Sequence, residues 1–321
     1  MRTSWLIHNP SAGWFPTGPL LGRAVNVLAR SGWDVEVVEL EPGQDVADVA
    51  SAAVGAGCEA VFVAGGDGTV GRVAGVLAGT STALGVLPSG TANVWAQELG
   101  LPRLGWSNWF ALEESAAQLA NGDVRLVDVG ECNDRAFLMW AGLGLDAHIV
   151  KSIEPRGRWE KSVATPHYAI LAVWNSWNWT GLDLRVEAEG KHWEDRYLVA
   201  ICSNIRSYAG GLLELAPEAR VDDGLLDFWL IAGRSLTDAV LRVVQVFRGT
   251  HIDAPGVVHF QAARASFEAG PQLTMQLDGE PYTMKSPAQL KVRRRVLRAL
   301  VPRESQPRVF TRTPSSDTAS G

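Results

Sequence analysis

Apolar and polar positions change their period about every ten residues over the first hundred of this chain. Trp5–His8 is a short apolar run closed by Asn9-Pro10-Ser11-Ala12-Gly13. Leu20–Ser31 repeats its apolar residues at helical spacing, Asp34–Leu40 (DVEVVEL) alternates as a strand does, and Asp45–Ala56 returns to the helical pattern. Ala60–Val63 is a compact strand-like run stopped by Gly65-Gly66. Val70–Leu77 predicts a helix, Ala83–Leu87 a strand and Ala92–Leu99 another helix. Strands alternating with helices in this way predict βαβ units on a parallel sheet, in a three-layer α/β/α arrangement.

The texture changes after about Val124. RLVDVGEC, RAFLMWAG, LDLRVEAEG, YLVAICSN, LLDFWLIAG, VVHFQAARASFEA and LTMQLDGEPY are strand-like, and many end in turn residues. Helices are expected only at His167–Trp177 and Leu236–Arg248. Residues 303–321, rich in Pro, Ser, Thr and Arg, read as a disordered tail. The expected organisation is an α/β domain over 1–125, a β-rich domain over 126–302 whose last strand is free to return to the first, and the tail. No internal repeat is visible.

Composition narrows the class. The 321 residues are 46% hydrophobic and 20% charged, ordinary globular values that exclude a disordered, collagen-like or rod-like chain. Three scattered cysteines, Cys58, Cys132 and Cys202, with no CxxC argue against a disulfide framework or a structural zinc site and fit a reducing compartment. The start, MRTSWLIHNPSAG, lacks the apolar run of a signal peptide. Val73–Gln97 carries no charge, but Gly, Thr, Ser, Pro88 and Asn93 interrupt it too often for a membrane span. The net charge of −6 disfavours general nucleic-acid binding. It resides in residues 1–125, with six basic and twelve acidic side chains, whereas residues 285–312 hold nine basic side chains against Glu304 alone. That stretch suits either a solvated strand with a basic tail or attraction to phosphates and anionic membranes.

The chemistry is concentrated in three small-residue loops, each following a predicted parallel strand: NPSAG (9–13), GGDGT (65–69) and PSGTAN (88–93). Such loops gather at the carboxyl edge of a parallel sheet, where α/β folds bind ligands. A strand running into glycines and then a helix brings backbone N–H groups to a phosphate. Gly66, Gly68 and Gly71 satisfy G-x-G-x-x-G, yet no Asp or Glu lies between Asp67 and Glu98 to meet a ribose, so a dinucleotide reading is weak. There is no Walker A lysine. Asp67 places a negative charge inside a phosphate loop, which calls for a bridging Mg²⁺ or a water network. Ser89 does not sit in G-x-S-x-G, so a hydrolase elbow is unsupported. The six histidines show no metal-ligand spacing.

In this order and spacing, NPSAG, GGDGTV and LPSGTAN resemble the diacylglycerol kinase catalytic-domain family of lipid kinases, with sphingosine kinases as cousins. The likeness continues through VDVGECNDRAFLMWAGLGLDAHIV, APEARVDDGLLDFWLI and LDGE, across roughly residues 5–302. It implies an ATP-binding α/β domain, a β-sandwich-like lipid domain and an active site in the cleft between them. It further implies an ATP- and Mg²⁺-dependent cytoplasmic kinase, peripheral on the inner membrane face, that converts diacylglycerol to phosphatidic acid. A sphingoid-type acceptor, an NAD kinase-like phosphotransferase and a silent lipid-binding regulator are the alternatives.

By the same resemblance Asn9, Pro10, Ser11, Ala12, Gly13, Gly65, Gly66, Asp67, Gly68, Thr69, Gly90, Thr91 and Asn93 would hold the nucleotide. Asp278 is the favoured base for the lipid hydroxyl, with Glu280 as the alternative. Read without the family, Asp278-Gly279 is a standard hairpin turn pair. Asp223 with the backbone carbonyls of Arg220 and Leu225 would bind a structural Mg²⁺, an oxygen-only set that suits the ion. Asp128 would join the charge network around Mg²⁺. Three positions depart from the family pattern: Gly71-Arg72 for Asn-Glu, Val94 for Asp, and Trp14-Phe15 where a basic residue is sometimes found. They bear on the acceptor more than on the kinase assignment. Trp159, Trp174, Trp177 and Trp179 beside Lys151, Arg156, Arg158 and Lys161 suit either membrane contact or core packing. A homodimer is compatible with the sequence and not required by it.

Overall fold

The computed structural model describes residues 1–13, 17–145, 147, 180–303 and 308–311. Trp14-Phe15, the expected helix His167–Trp177 and the tryptophan-basic stretch of residues 151–179 lie outside the described residues. The chain forms two units. One contains Met1–Val129, Arg220–Asp223 and Arg294–Gly321, and the other Gly130–Ala219 and Gly224–Arg293.

In the first unit the order is β1 (Arg2–His8), α1 (Gly18–Arg30), β2 (Trp33–Glu39), α2 (Val46–Gly55), β3 (Ala60–Gly65), α3 (Asp67–Leu77), β4 (Ala83–Pro88), α4 (Val94–Glu98), α5 (Ala111–Ala120) and the first part of β5 (Asp123–Cys132). The strands pair in parallel as β2-β1-β3-β4. Every residue of β3 and β4 is buried, as expected of parallel strands covered on both faces, whereas the edge strand β2 is largely solvated. The α2 start is set by Asp45, whose side chain accepts the backbone N–H of Ala47 at 2.9 Å. Helix α3 begins three residues earlier than its apolar pattern predicts, because Gly66 is extended and caps it, so Asp67, Gly68 and Thr69 form its first turn.

The second unit is almost wholly antiparallel. It contains β6 (Arg135–Phe137), β7 (Trp140–Gly144), β8 (Leu182–Ala188), β9 (Lys191–Ser203), β10 (Ser207–Tyr208), β11 (Leu213–Glu214), β12 (Leu226–Ala232), α6 (Leu236–Phe247), β13 (Val257–Ala262), β14 (Arg264–Glu268), β15 (Gln272–Leu277), β16 (Glu280–Lys285) and the start of β17 (Ala288–Val301). Long β9 pairs with β8 through its first half and lies between β7 and β12 through its second. Phe137, Phe228, Phe267, Val186, Leu230, Met275 and their neighbours fill the core. The last part of β17 belongs to the first unit, where Ala299 pairs in parallel with Leu84 of β4.

The segment read as a disordered tail contains a packed stretch. Val309 and Phe310 are buried, the Val221 N–H donates to the Val309 carbonyl at 3.0 Å, and Arg125 stacks on Phe310 at 4.6 Å. Two apolar residues inside a polar composition account for the difference.

Candidate active site

Three loops leave β1, β3 and β4 at the carboxyl edge of the first sheet, and they interlock. The Asn9 N–H donates to the Ala64 carbonyl at 2.9 Å, holding the first loop on the end of β3. Its side chain then splits its work. Asn9 Nδ2 donates to Thr69 Oγ1 at 3.0 Å, while Asn9 Oδ1 accepts the Ser11 N–H and hydroxyl at 3.0 and 2.6 Å. Gly13 has φ +75, and a Cβ there would sit 2.2 Å from the Ser89 carbonyl oxygen. Gly90 is as tightly placed, for a Cβ would lie 2.5 Å from the Gly66 Cα. Asn93, left-handed at φ 54, closes the third loop: its Oδ1 accepts the Gly90 N–H at 2.8 Å and its Nδ2 returns a bond to the Gly90 carbonyl at 2.7 Å.

Asp67 stands at the centre of this arrangement. Its Oδ1 accepts the Val94 N–H at 2.7 Å. Burial pushes its carboxyl up to about 6, against the opposing pull of the backbone N–H groups of Val94, Trp95 and Asn93. The partner that sequence reading sought in Mg²⁺ or water is thus supplied in part by the backbone at the start of α4. Val94 contributes an N–H whatever its side chain, and that side chain is buried. Arg72 is paired with Asp45, at 2.7 and 2.5 Å to its two carboxylate oxygens, at the cap of α2.

In the second unit, Asp278-Gly279 is the two-residue turn of the β15–β16 hairpin, with Leu277 and Glu280 paired across it. Both turn residues have positive φ, 49 and 85, as a type I′ turn requires. The buried Asp278 carboxylate reaches back to another segment. It accepts the backbone N–H groups of Leu138, Met139 and Trp140 at 2.7, 2.8 and 3.1 Å. Its own N–H donates to the Trp140 carbonyl at 3.0 Å. Glu280 is partly exposed and ion-paired with Arg135. Beside it Tyr282 donates to Asp134 at 2.6 Å, and that bond raises the phenol to about 12. These partners lie some 140 residues away in sequence, and no local pattern announces them.

The residues expected to hold Mg²⁺ lie in one short stretch of sequence. Among the described residues no three His, Cys, Asp or Glu side chains converge. Asp223, partly exposed, follows Arg220 in a short stretch of the first unit, and Leu225 opens the run into β12. One carboxylate and two carbonyls are an all-oxygen set whose chemistry fits Mg²⁺. Asp128, expected in the charge network around Mg²⁺, meets the same stretch at Val221. The aspartate is fully buried, its carboxylate accepts the Arg295 N–H at 2.6 Å, and its own N–H donates to the Val221 carbonyl at 2.6 Å. Asp128 is a buried anchor between strands.

Parallel strands ending in three interlocked glycine loops, followed by an antiparallel β unit, define a phosphate-handling α/β enzyme with an appended β domain. Residues 3–132 match the diacylglycerol kinase catalytic domain, and residues 140–301 match the YegS C-terminal NAD kinase beta sandwich-like domain. A diacylglycerol kinase of Mycobacterium tuberculosis is 31% identical over 302 residues, covering 89% of this chain and 94% of that protein. A Klebsiella pneumoniae protein named "Probable lipid kinase YegS-like" is 31% identical over 274 residues, covering 84% and 86%. The crystal structure of a diacylglycerol kinase from Bacillus anthracis superposes with a TM-score of 0.69 at 21% identity, covering 96% of this chain and 98% of that one, a likeness of fold. The chain belongs to the diacylglycerol kinase family and is a lipid kinase.

Proposed function

We propose that this enzyme transfers the γ-phosphoryl group of ATP to the free hydroxyl of diacylglycerol, giving phosphatidic acid. The observation that carries the reading is the interlock of the three loops through Asn9 and Thr69, Gly13 and Ser89, and Gly66, Gly90 and Asn93, with no loop lysine. Phosphoryl transfer asks little covalent chemistry of a protein and much positioning. The Asn9–Thr69 bond keeps the first and second loops in one register, so phosphate oxygens meet donors that are already fixed. Mg²⁺ accompanying ATP would supply charge neutralisation, and Asp223 with the Arg220 and Leu225 carbonyls would hold a structural ion.

The acidic pair divides its work. Three backbone N–H groups occupy the Asp278 carboxylate oxygens, which turns them away from a substrate hydroxyl and makes the residue an anchor for residues 138–140. Glu280 is the more accessible carboxylate. In this reading Glu280 takes the hydroxyl proton, Arg135 aims it, and Asp278 is a positioning residue. The order of preference drawn from sequence is therefore reversed.

The test is transfer of labelled γ-phosphate to a panel of lipids in mixed micelles, with NAD as a control acceptor. Glu280→Gln is expected to lower kcat at least 100-fold with an unchanged melting temperature. Asp278→Asn is expected to lose activity and stability together. Full turnover by Glu280→Gln would return the base to Asp278, and labelled NAD without labelled lipid would replace the acceptor class.

A further inference from the structure

Helix α6 turns an apolar face to solvent. Among the described side chains from Thr237 to Arg248, the exposed ones are Thr237, Val240, Leu241, Val244, Phe247 and Arg248. Val240, Val244 and Phe247 are 50%, 39% and 76% exposed and fall in one line along the helix, with Leu241 at 51% beside them. Val246, on the far side, is buried. An ordinary surface helix has the opposite pattern, with charged residues outward.

Arg248 is the one charge on the described part of the exposed arc, whereas Glu214 and Asp253 are exposed beyond the helix. Asp238 lies at the flank and is partly buried; its carboxylate accepts the Arg234 N–H at 2.9 Å at the helix start. Exposed arginines mark both ends, Arg234 before the first turn and Arg248 after the last. Ile252, after the helix, and Leu212, before β11, against which α6 packs, are exposed as well.

We propose that α6 is the membrane-docking element of this enzyme. Its Val240-Val244-Phe247 line enters the headgroup boundary of an anionic bilayer, and Arg234 and Arg248 meet lipid phosphates. A large apolar moment with basic flanks is the signature of a helix lying in the interface plane. The proposal rests on the lipid-kinase reading, since an enzyme whose acceptor stays in the bilayer must work at its surface. A second copy of the chain is the competing occupant, but an arginine within the arc and one before it oppose like charge across a two-fold contact.

Sedimentation of the full chain with vesicles of phosphatidylcholine and phosphatidylglycerol, and with phosphatidylcholine alone, tests it. Val244→Ser/Phe247→Ser should reduce partition to the anionic vesicles at least tenfold, with an unchanged melting temperature and unchanged turnover of a short-chain diacylglycerol in detergent micelles. Arg248→Gln should weaken binding to the anionic vesicles and leave the weaker binding to neutral ones as it was. The proposal is overturned if wild type stays in the supernatant, if the double variant binds as wild type does, or if that variant only converts a dimer to a monomer. Vesicle binding lost in the double variant, from a chain that phosphorylates no lipid in micelles, would sustain the docking helix and defeat the kinase reading.

Discussion

Asp67 shows how one residue can tie stability and nucleotide use to pH. Its carboxyl titrates near 6 in the folded chain because burial penalises the charge more than the backbone N–H groups at the start of α4 repay it. An unfolded aspartic acid titrates near 4, so between the two values the folded chain binds the extra proton. Stability therefore falls as pH rises through that window. Asp67→Asn keeps an oxygen for the Val94 N–H and removes the charge. We expect its urea midpoint to be nearly flat between pH 4 and 7 where wild type declines, and to exceed wild type at pH 7 by on the order of 1 kcal/mol. ATP turnover should drop in the same variant. An equal slope in both proteins would mean that the carboxyl is more solvated than its surroundings imply. Much of this was hidden in the sequence. GGDGT declares a turn and a phosphate loop, but only the fold brings Val94 over Asp67, and only the fold pairs Arg72 with Asp45.

At the scale of elements, the local signals fared well where periodicity was strong and failed where long-range packing decided. The βαβ alternation of the first hundred residues and the strand-rich remainder were both legible, since fully buried runs such as AVFVAG and ALGVLP have few other uses. The hairpin at Asp278-Gly279 was legible too. Its second task, pinning residues 138–140, was not, because a carboxylate's distant backbone partners leave no trace in the pattern. The loops behave likewise. Each glycine run reads as permissive, yet Gly90 is needed for lack of space: its φ is ordinary, and a methyl group there would strike the Gly66 Cα. Gly90→Ala must push the β3 and β4 loops apart, at a cost of about 1–3 kcal/mol. The expected outcome is a tenfold or larger rise in KM for ATP with a smaller effect on lipid KM. An equal loss on both substrates would indicate a general loss of structure.

For the whole molecule, chain order and spatial order part company near the carboxyl terminus. The first unit recruits Arg220–Asp223 and the stretch that begins at Arg294, so it is completed by segments far along the chain from its first 129 residues. Val309 and Phe310 are the far end of that return. Val309 meets Val221 through the backbone, Phe310 lies under Arg125, and the Thr311 N–H donates to Asp222 at 2.7 Å. These contacts brace the stretch holding Asp223, the carboxylate proposed for Mg²⁺. A chain ending at Arg303 should therefore do more than lose a tail. Burial of a Val and a Phe is worth about 3–5 kcal/mol, less the entropy of ordering them. The truncated enzyme should melt several degrees lower and need more Mg²⁺ for half-maximal activity, while a chain ending at Arg312 should match the full length in both. If both truncations match it, residues 308–311 only decorate the surface, and the brace on Asp222 and Asp223 must come from Arg294, whose guanidinium donates to the Asp223 carbonyl at 2.9 Å.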